Sequence, residues 1–301
     1  MNFLKRYPIP IAGLILALFA LGNLIQSYST ETRLVLGAIG LVLYLLYLLK
    51  VLVLNVKLSV PLENPVAASV FPTFTMATML LAGYVKPYCA NCAGIIWYAG
   101  VIGHVLLIVW FTMKFVLRGF AVQKVFPSWF IVYVGIAVAS VSAPVTGQLM
   151  IGQCAFWFGL VTYAVLLVVV CRRVWFIGGI PAPAMPTTVI FAAPASLLLA
   201  GYMVSFPEKD ECIVMGLLVL SVFFWLVGMM YFLRTFRGGF MPSHSAFTFP
   251  LVISGIAVKM SLGFTGYAWQ GMLCNAETVI AVAVVVWVLM RYVWYLFTGA
   301  E

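Results

Sequence analysis

Side chains that could act on a solute are few in this sequence, and most lie inside long apolar segments. In one such segment, Met241–Met260, Phe249 is followed directly by Pro250 near the middle. A proline there removes a backbone donor and predicts a kink. Lipid cannot satisfy the carbonyl that a kink frees, so protein or a water-filled cavity must cover it. The pair predicts one wall of a passage, with the Phe249 ring held into it.

Four other apolar segments carry a similar helix breaker. In three of them it comes seven or eight residues after an opening proline, and in the first segment Gly13 is the nearest candidate, somewhat early. The predicted kinks that line the passage are Gly13, Pro72, Gly135, Pro194 and Pro250. Hydroxyl groups cluster nearby, and we expect three of them to line it: Thr75, Ser140 and Thr248. Small residues also allow close helix packing, which explains part of this pattern.

Composition places the whole chain in a membrane. Of 301 residues, 65% are hydrophobic and only 8% are charged, and one span needs about 20 apolar residues. The opening segment could pass for a signal peptide, but its length and the lack of a small-residue cleavage site favour a first transmembrane helix. Ten spans are predicted, at residues 8–28, 33–55, 65–86, 92–117, 127–147, 151–171, 186–206, 212–233, 244–264 and 275–298.

The distribution of basic residues predicts the orientation. A net charge of +9 could indicate nucleic acid as a partner. With the N-terminus in the cytoplasm, however, 12 of the 16 Lys and Arg residues lie on that side, which is the usual bias of membrane proteins. We therefore expect a multi-pass protein of the cell membrane with both termini cytoplasmic, the lipid bilayer as a partner, and no nucleic acid.

An internal repeat organises the spans. The prolines that open alternate spans, Pro8, Pro65, Pro127, Pro186 and Pro242, lie 56 to 62 residues apart, and the sequence LLAGY occurs twice. This pattern predicts one all-α transmembrane domain of five tandem helical hairpins. Parallel repeats suit a ring, with broken odd helices inside and even helices facing lipid. The expected repeats are about 1–57, 58–117, 118–176, 177–235 and 236–301.

An ordered set of motifs resembles a known family over essentially the whole chain. The motifs are Pro8-Ile9-Pro10 with GLILALFALGN, then LLAGY, FPSWF and AFTFPLVISGIA. They resemble the tellurite-resistance/dicarboxylate transporter (TDT) family, which includes bacterial TehA-type proteins and the plant guard-cell slow anion channels. The resemblance implies ten helices around a central pore and a homotrimer with one pore per subunit. It also implies an anion channel occluded by a phenylalanine of the ninth helix, which is Phe249 here.

The residues themselves favour weak anion binding along the passage. Odd spans carry almost no ionised side chain at mid-depth, and conduction needs sites that bind weakly. Phe247 competes with Phe249 as the gate, since it lies about 200° around a helix. Lys259 is either a charge at the outer vestibule or a side chain that reaches back to the interface. Glu277 is its expected partner.

Histidine and cysteine give no sign of a metal or cofactor site. His104 and His244 are predicted to be structural or interfacial rather than proton relays. Cys89 and Cys92 form a CxxC pair, which can be redox-active or metal-binding, but no second pair or nearby histidine supports zinc. We expect no metal and no cofactor. We also expect at most one or two disulfides, which spacing alone does not assign.

Three functions are compatible with these features. The first is a gated channel for small monovalent anions such as chloride or nitrate. The second is a secondary transporter or exporter of dicarboxylate, sulfite or tellurium oxyanions. The third, a membrane oxidoreductase with haem or quinone, is disfavoured because two histidines at different depths do not make a bis-histidine site. A single passage with one aromatic plug favours the channel, and we expect no enzyme activity.

Overall fold

The computed structural model describes residue 4 and residues 6–53 and 61–298. All regular elements within these residues are helical. In the same residues, eight helices are long and apolar enough to cross a membrane. Two shorter apolar helices, Ile11–Ile25 and Gly135–Val145, complete the set. Each of these ten overlaps one of the spans predicted from the sequence.

Within the residues that the structure describes, twelve α-helices follow one another. They are α1 (Ile11–Ile25), α2 (Thr30–Val53), α3 (Pro65–Val70), α4 (Thr73–Val85), α5 (Ala90–Phe111), α6 (Trp129–Tyr133), α7 (Val138–Ser142), α8 (Leu149–Cys171), α9 (Pro194–Ser205), α10 (Glu211–Thr235), α11 (Thr248–Thr265) and α12 (Ala268–Thr298). Short 3₁₀ helices cover Pro61–Glu63, Val122–Lys124, Gly135–Ala137, Ala143–Val145, Ala182–Ala192 and Pro242–Phe247. Two π-helical turns, Thr112–Leu117 and Arg172–Ile177, extend α5 and α8.

The predicted proline kinks are boundaries between two helical pieces. Pro72 directly precedes α4, Pro194 is the first residue of α9, and Pro250 is the third residue of α11. The first turn of an α-helix has no acceptor for its N–H groups, so a proline there costs no hydrogen bond. In the last two segments, a 3₁₀ helix leads into an α-helix at the break. At Pro250 the predicted break takes the form of a change from a 3₁₀ helix to an α-helix.

The two glycine breaks differ from each other. Gly135 begins the 3₁₀ turn that separates α6 from α7, as expected for a helix breaker. Gly13, by contrast, lies in the first turn of the continuous helix α1, so the expected kink there is wrong. A Cβ built on Gly13 would lie 3.3 Å from the side chain of Ser245. The glycine at this position allows α1 to approach the 3₁₀ helix Pro242–Phe247 closely.

Burial separates the helices into two sets. We call α1, α3–α4, α6–α7, α9 and α11, with their 3₁₀ extensions, the broken segments, although α1 itself is continuous. We call α2, α5, α8, α10 and α12 the straight helices. Three broken segments are long enough to span a membrane, and 72% to 89% of their most apolar 18-residue stretch is buried. The corresponding share in the straight helices is 22% to 39%. In α1, 13 of 15 residues are buried. Large apolar side chains on the straight helices remain exposed, as expected of surfaces that face lipid.

Contacts between helices follow the order of the chain. Each broken segment packs against the straight helix that follows it, as in a helical hairpin. Among the broken segments, α1 contacts α4, α4 contacts α7, α7 contacts α9, α9 contacts α11, and α11 returns to α1. Small residues permit these approaches. A Cβ on Gly201 of α9, for example, would lie 2.8 Å from the Ser140 Cβ of α7.

Candidate functional site

The broken segments enclose two cavities. The first, which we call the proline-rich cavity, has a volume of ≈ 560 Å³, and its wall includes Pro10, Pro65, Pro181, Pro183 and Pro242. The second, which we call the Lys259 cavity, has a volume of ≈ 640 Å³, and its wall includes Lys259 with Asn23, Gln26, Ser27 and Thr30. Both volumes lie in the range of ordinary ligand pockets.

Every broken segment contributes to the wall of both cavities. Each supplies a residue to the proline-rich cavity and another, four positions later, to the Lys259 cavity. These pairs are Leu16 and Ala20, Met76 and Leu80, Val134 and Val138, Ala193 and Leu197, and Phe249 and Ile253. Four residues make about one helical turn of 6 Å. The two cavities therefore lie end to end along the broken segments.

Two side chains lie where the cavities meet. Within the described residues, only Phe249 and Leu197 belong to the walls of both cavities. Phe249 comes from the first turn of α11 and is only 7% exposed. Leu197 comes from the first turn of α9, just after Pro194. Leu197 was not predicted as a site residue, because nothing in the sequence sets it apart from the other leucines.

Phe247 has a different environment from Phe249. Its ring is completely buried and stacks on His244, with ring centroids 4.9 Å apart. It also makes an edge contact with Phe232 at 5.2 Å and lies 6.3 Å from Trp287. Phe247 belongs to neither cavity wall. It packs in an aromatic cluster between α10, α12 and the 3₁₀ helix Pro242–Phe247.

The three hydroxyl residues predicted to line the passage do not line either cavity. Their hydroxyl groups donate instead to backbone carbonyls: Thr75 to Pro72 at 2.8 Å, Ser140 to Gly152 at 2.5 Å, and Thr248 to Ser245 at 2.7 Å. Threonine and serine hydroxyl groups in helices commonly bond to backbone carbonyls in this way. The expectation for these three residues is therefore wrong.

Other hydroxyl residues occupy the wall of the proline-rich cavity. They are Thr73, Thr187, Ser243 and Ser245. The Ser243 hydroxyl is buried and has no hydrogen-bond partner. Each of the four follows a proline of its segment by one to three positions. This spacing could have identified them from the sequence. Of the five predicted kinks, Gly13, Gly135, Pro194 and Pro250 belong to this wall, and Pro72 does not.

Lys259 is the one charged residue in the described walls of the two cavities. Its ammonium group donates to the Leu24 carbonyl at 2.7 Å and to the Ser27 hydroxyl at 2.5 Å. It also lies 4.8 Å from the centroid of the Tyr28 ring, within the range of a cation–π contact. These contacts fasten the end of α1 to α11. They also keep the positive charge at the cavity surface.

Glu277 is not the partner of Lys259. Its side chain is completely buried, and neither carboxyl oxygen has a hydrogen-bond partner. Glu277 lies on the buried face of α12, nine residues after the helix begins at Ala268. The described walls of both cavities thus hold no acidic side chain.

Both histidines are buried away from the cavities. His104 bonds to the Thr75 hydroxyl at 2.7 Å and to the Val132 carbonyl at 3.1 Å, which ties α5 to α4 and α6. His244 stacks between Phe247 and Trp287, and both of its ring nitrogens lack a partner. Within the described residues, no three His, Cys, Asp or Glu side chains lie together as a metal site would require.

One disulfide joins Cys89 and Cys92, whose Cα atoms are 5.3 Å apart. Cys89 is also the N-cap of α5. The remaining cysteines, Cys154, Cys171, Cys212 and Cys274, are free. Cys89 directly precedes α5, Cys92 lies in the first turn of α5, and neither belongs to a cavity wall.

These observations define a class of protein. The chain is a multi-pass helical membrane protein whose most buried segments surround two cavities in line, and this architecture suits the movement of small solutes across a bilayer. The voltage-dependent anion channel family (SLAC1) matches residues 7–293, and the chain belongs to that family. The match confirms the resemblance drawn from the sequence motifs. None of the curated proteins matches the chain.

Proposed function

We propose that this protein is a gated channel for small monovalent anions, such as chloride or nitrate, with a passage inside each chain. One observation carries the proposal: Phe249 and Leu197 are the described residues common to both cavity walls. A solute that moves from one cavity to the other must pass these two side chains. The Phe249 ring is the larger, and it serves as the gate.

The walls suit an anion that binds weakly. A single ammonium group, that of Lys259, provides positive charge at one cavity, and no described acidic side chain repels an anion there. At the junction the walls are apolar, so an ion finds no strong site from which exit would be slow. A cation path would instead need acidic or carbonyl-rich rings.

Opening requires a small local change. Phe249 lies one residue before Pro250, at the start of α11. A change of the Phe249 rotamer, together with a small shift of the Leu197 layer, widens the junction and lets water enter. An apolar constriction of this kind blocks ions by excluding water as well as by its size.

The surrounding architecture is proposed as five hairpins in a ring around this passage. The closed series of contacts from α1 through α4, α7, α9 and α11 back to α1 supports the ring. The bias of basic residues supports cytoplasmic termini in the cell membrane. A homotrimer with one passage per subunit follows from the family resemblance, and a mass measurement in detergent tests it.

Reconstitution of the wild type and Phe249→Ala in planar bilayers tests this function. We expect small chloride currents from the wild type and much larger ones from Phe249→Ala. Their unitary rates should exceed those that a carrier cycle on the μs–ms timescale allows. Reversal potentials in chloride, nitrate, sulfite and malate then measure selectivity. Slow coupled exchange of sulfite, malate or tellurite, without chloride current, would favour the transporter of oxyanions or dicarboxylates.

A further inference from the structure

A buried carboxyl group lies behind α11 and has no role in the passage described so far. Glu277 is completely buried on α12, and both of its carboxyl oxygens lack a hydrogen-bond partner. An unpaired carboxylate in such a site is very costly, whereas the protonated acid is tolerated. Ionisable residues inside membrane segments are rare and commonly functional. Glu277 therefore calls for an explanation beyond packing.

The neighbours of Glu277 place it one side chain away from the Lys259 cavity. A Cβ built on Gly255 of α11 would lie 3.8 Å from the Glu277 Cβ and 3.2 Å from Leu24, which belongs to the wall of that cavity. The Ser254 hydroxyl, also buried, lies beside the carboxyl group without forming a hydrogen bond of normal geometry to it. Leu24 and Gly255 thus form the layer that separates Glu277 from the Lys259 cavity.

Few other titratable groups face this site. On α11 the only one is Lys259, and on α12 Cys274 lies one turn before Glu277. Helix α1, which also packs against α12, has no titratable side chain. The 3₁₀ helix Pro242–Phe247 contributes His244, which lies with Arg291 near the opposite end of α12. No described cation compensates for a negative charge on Glu277 through a direct contact.

Glu277 is also close to the gate along the helix axis. It lies at the level of Gly255, six residues after Phe249 on α11, which corresponds to a rise of about 9 Å. Because Glu277 lies on the neighbouring helix, its distance from the junction is about 10–15 Å, and a unit charge at that distance alters anion flux roughly five- to fifteenfold at an effective dielectric constant of about 20. The two protonation states of Glu277 would therefore differ in anion flux.

We propose that Glu277 is a proton-binding site that controls the channel. When a proton from the Lys259 cavity binds a carboxyl oxygen, the site is neutral and anions pass. When the carboxyl loses that proton, its negative charge opposes the field of Lys259 and repels anions from the junction at Phe249. Anion flux therefore falls as the pH on the Lys259 side rises. This inference rests on the channel function proposed above.

Chloride efflux from proteoliposomes tests this control. The full chain is compared with Glu277→Gln and with Glu208→Gln, an exposed acid outside the spans, between about pH 5 and about pH 9. We expect the wild-type flux to fall roughly tenfold across this range. Glu277→Gln should keep the acid-side flux at every pH, because glutamine mimics the protonated acid. Glu208→Gln and Cys274→Ser should retain the wild-type profile.

Infrared difference spectroscopy gives a second measurement that does not depend on flux. The wild type should show the carbonyl stretch of a protonated carboxyl group that disappears in Glu277→Gln. A wild type without this band overturns the proposal, and so does a pH profile that is the same in wild type and Glu277→Gln. If neither the wild type nor Phe249→Ala conducts chloride at any pH, the channel function is contradicted, and control by Glu277 falls with it.

Discussion

The two cavities differ in charge although the same five segments build both. The proline-rich cavity is walled by prolines, apolar side chains and hydroxyl groups, without a described charged residue. The Lys259 cavity has an ammonium group with amide and hydroxyl groups around it. Because all five segments pass from one cavity into the other, the difference comes from single residues rather than from separate domains.

The two cavities and the layer between them have different roles in the proposed channel. In the proposed channel, Lys259 attracts anions into one cavity, and the apolar layer of Phe249 and Leu197 between the cavities resists their passage. The proline-rich cavity supplies room and helix ends but no fixed charge. Removing the barrier and removing the attraction should therefore change conduction in opposite directions.

The largest expected effect comes from the barrier. Phe249→Ala should raise the chloride current at least about tenfold, which corresponds to about 1.4 kcal/mol removed from the energy barrier. The physical reason is that the truncated side chain leaves the two cavities continuous. Bilayer recording with matched amounts of protein measures the change.

Phe247→Ala is the matched control, since it changes the same residue type two positions away. Phe247 packs against His244 and Phe232 outside the cavity walls, so its truncation should cost about 3–5 kcal/mol of stability without a rise in current. A thermal melt in detergent follows the stability. Equal currents from the two variants would contradict the assignment of the gate.

A smaller effect is expected from the attraction. Lys259→Gln should lower chloride current about two- to fivefold at low salt. The loss should shrink in high salt, because counterions screen the charge at the cavity surface. Lys209→Gln is the control, since that ammonium group donates to the carbonyls of Phe206 and Pro207 and lies outside both cavity walls. A Lys259→Gln current that equals the wild-type current at low salt would contradict the proposal that Lys259 attracts anions.

The smallest effect is expected from the disulfide. Thiol titration of the unfolded chain should find four free thiols without reductant and six with it, because Cys89 and Cys92 are paired. Reduction should leave chloride current unchanged, since the pair lies at the start of α5, outside both cavities. Six free thiols before reduction, or a current that follows the redox state, would contradict this placement.

The sequence predicted the layout of the helices well because membrane burial leaves a clear pattern. Helix breakers require cover, which marked the segments that the structure buries most, and plain Leu/Val/Ile runs marked those that it exposes. Phe249 could be singled out because a proline follows it. The family assignment was confirmed by the match over residues 7–293.

The details of the cavity walls could not be predicted in the same way. Thr75, Ser140 and Thr248 lie near breaks, but whether a hydroxyl bonds to a carbonyl or faces a cavity depends on its rotation around the helix. Leu197 resembles every other leucine in the chain. Glu277 looked like a boundary residue because the last span was predicted to begin at residue 275, whereas α12 begins at Ala268. Its burial followed only from its packing against α11.

The position of the barrier can be measured most directly by cysteine labelling. Ser27→Cys in the Lys259 cavity and Ala246→Cys in the proline-rich cavity are made in a chain whose free cysteines are replaced by serine. A membrane-impermeant anionic thiol reagent is added from the side that labels Ser27→Cys. The account predicts that Ala246→Cys is labelled from that side only when Phe249 is also changed to alanine. Equal labelling of Ala246→Cys with Phe249 intact would contradict it.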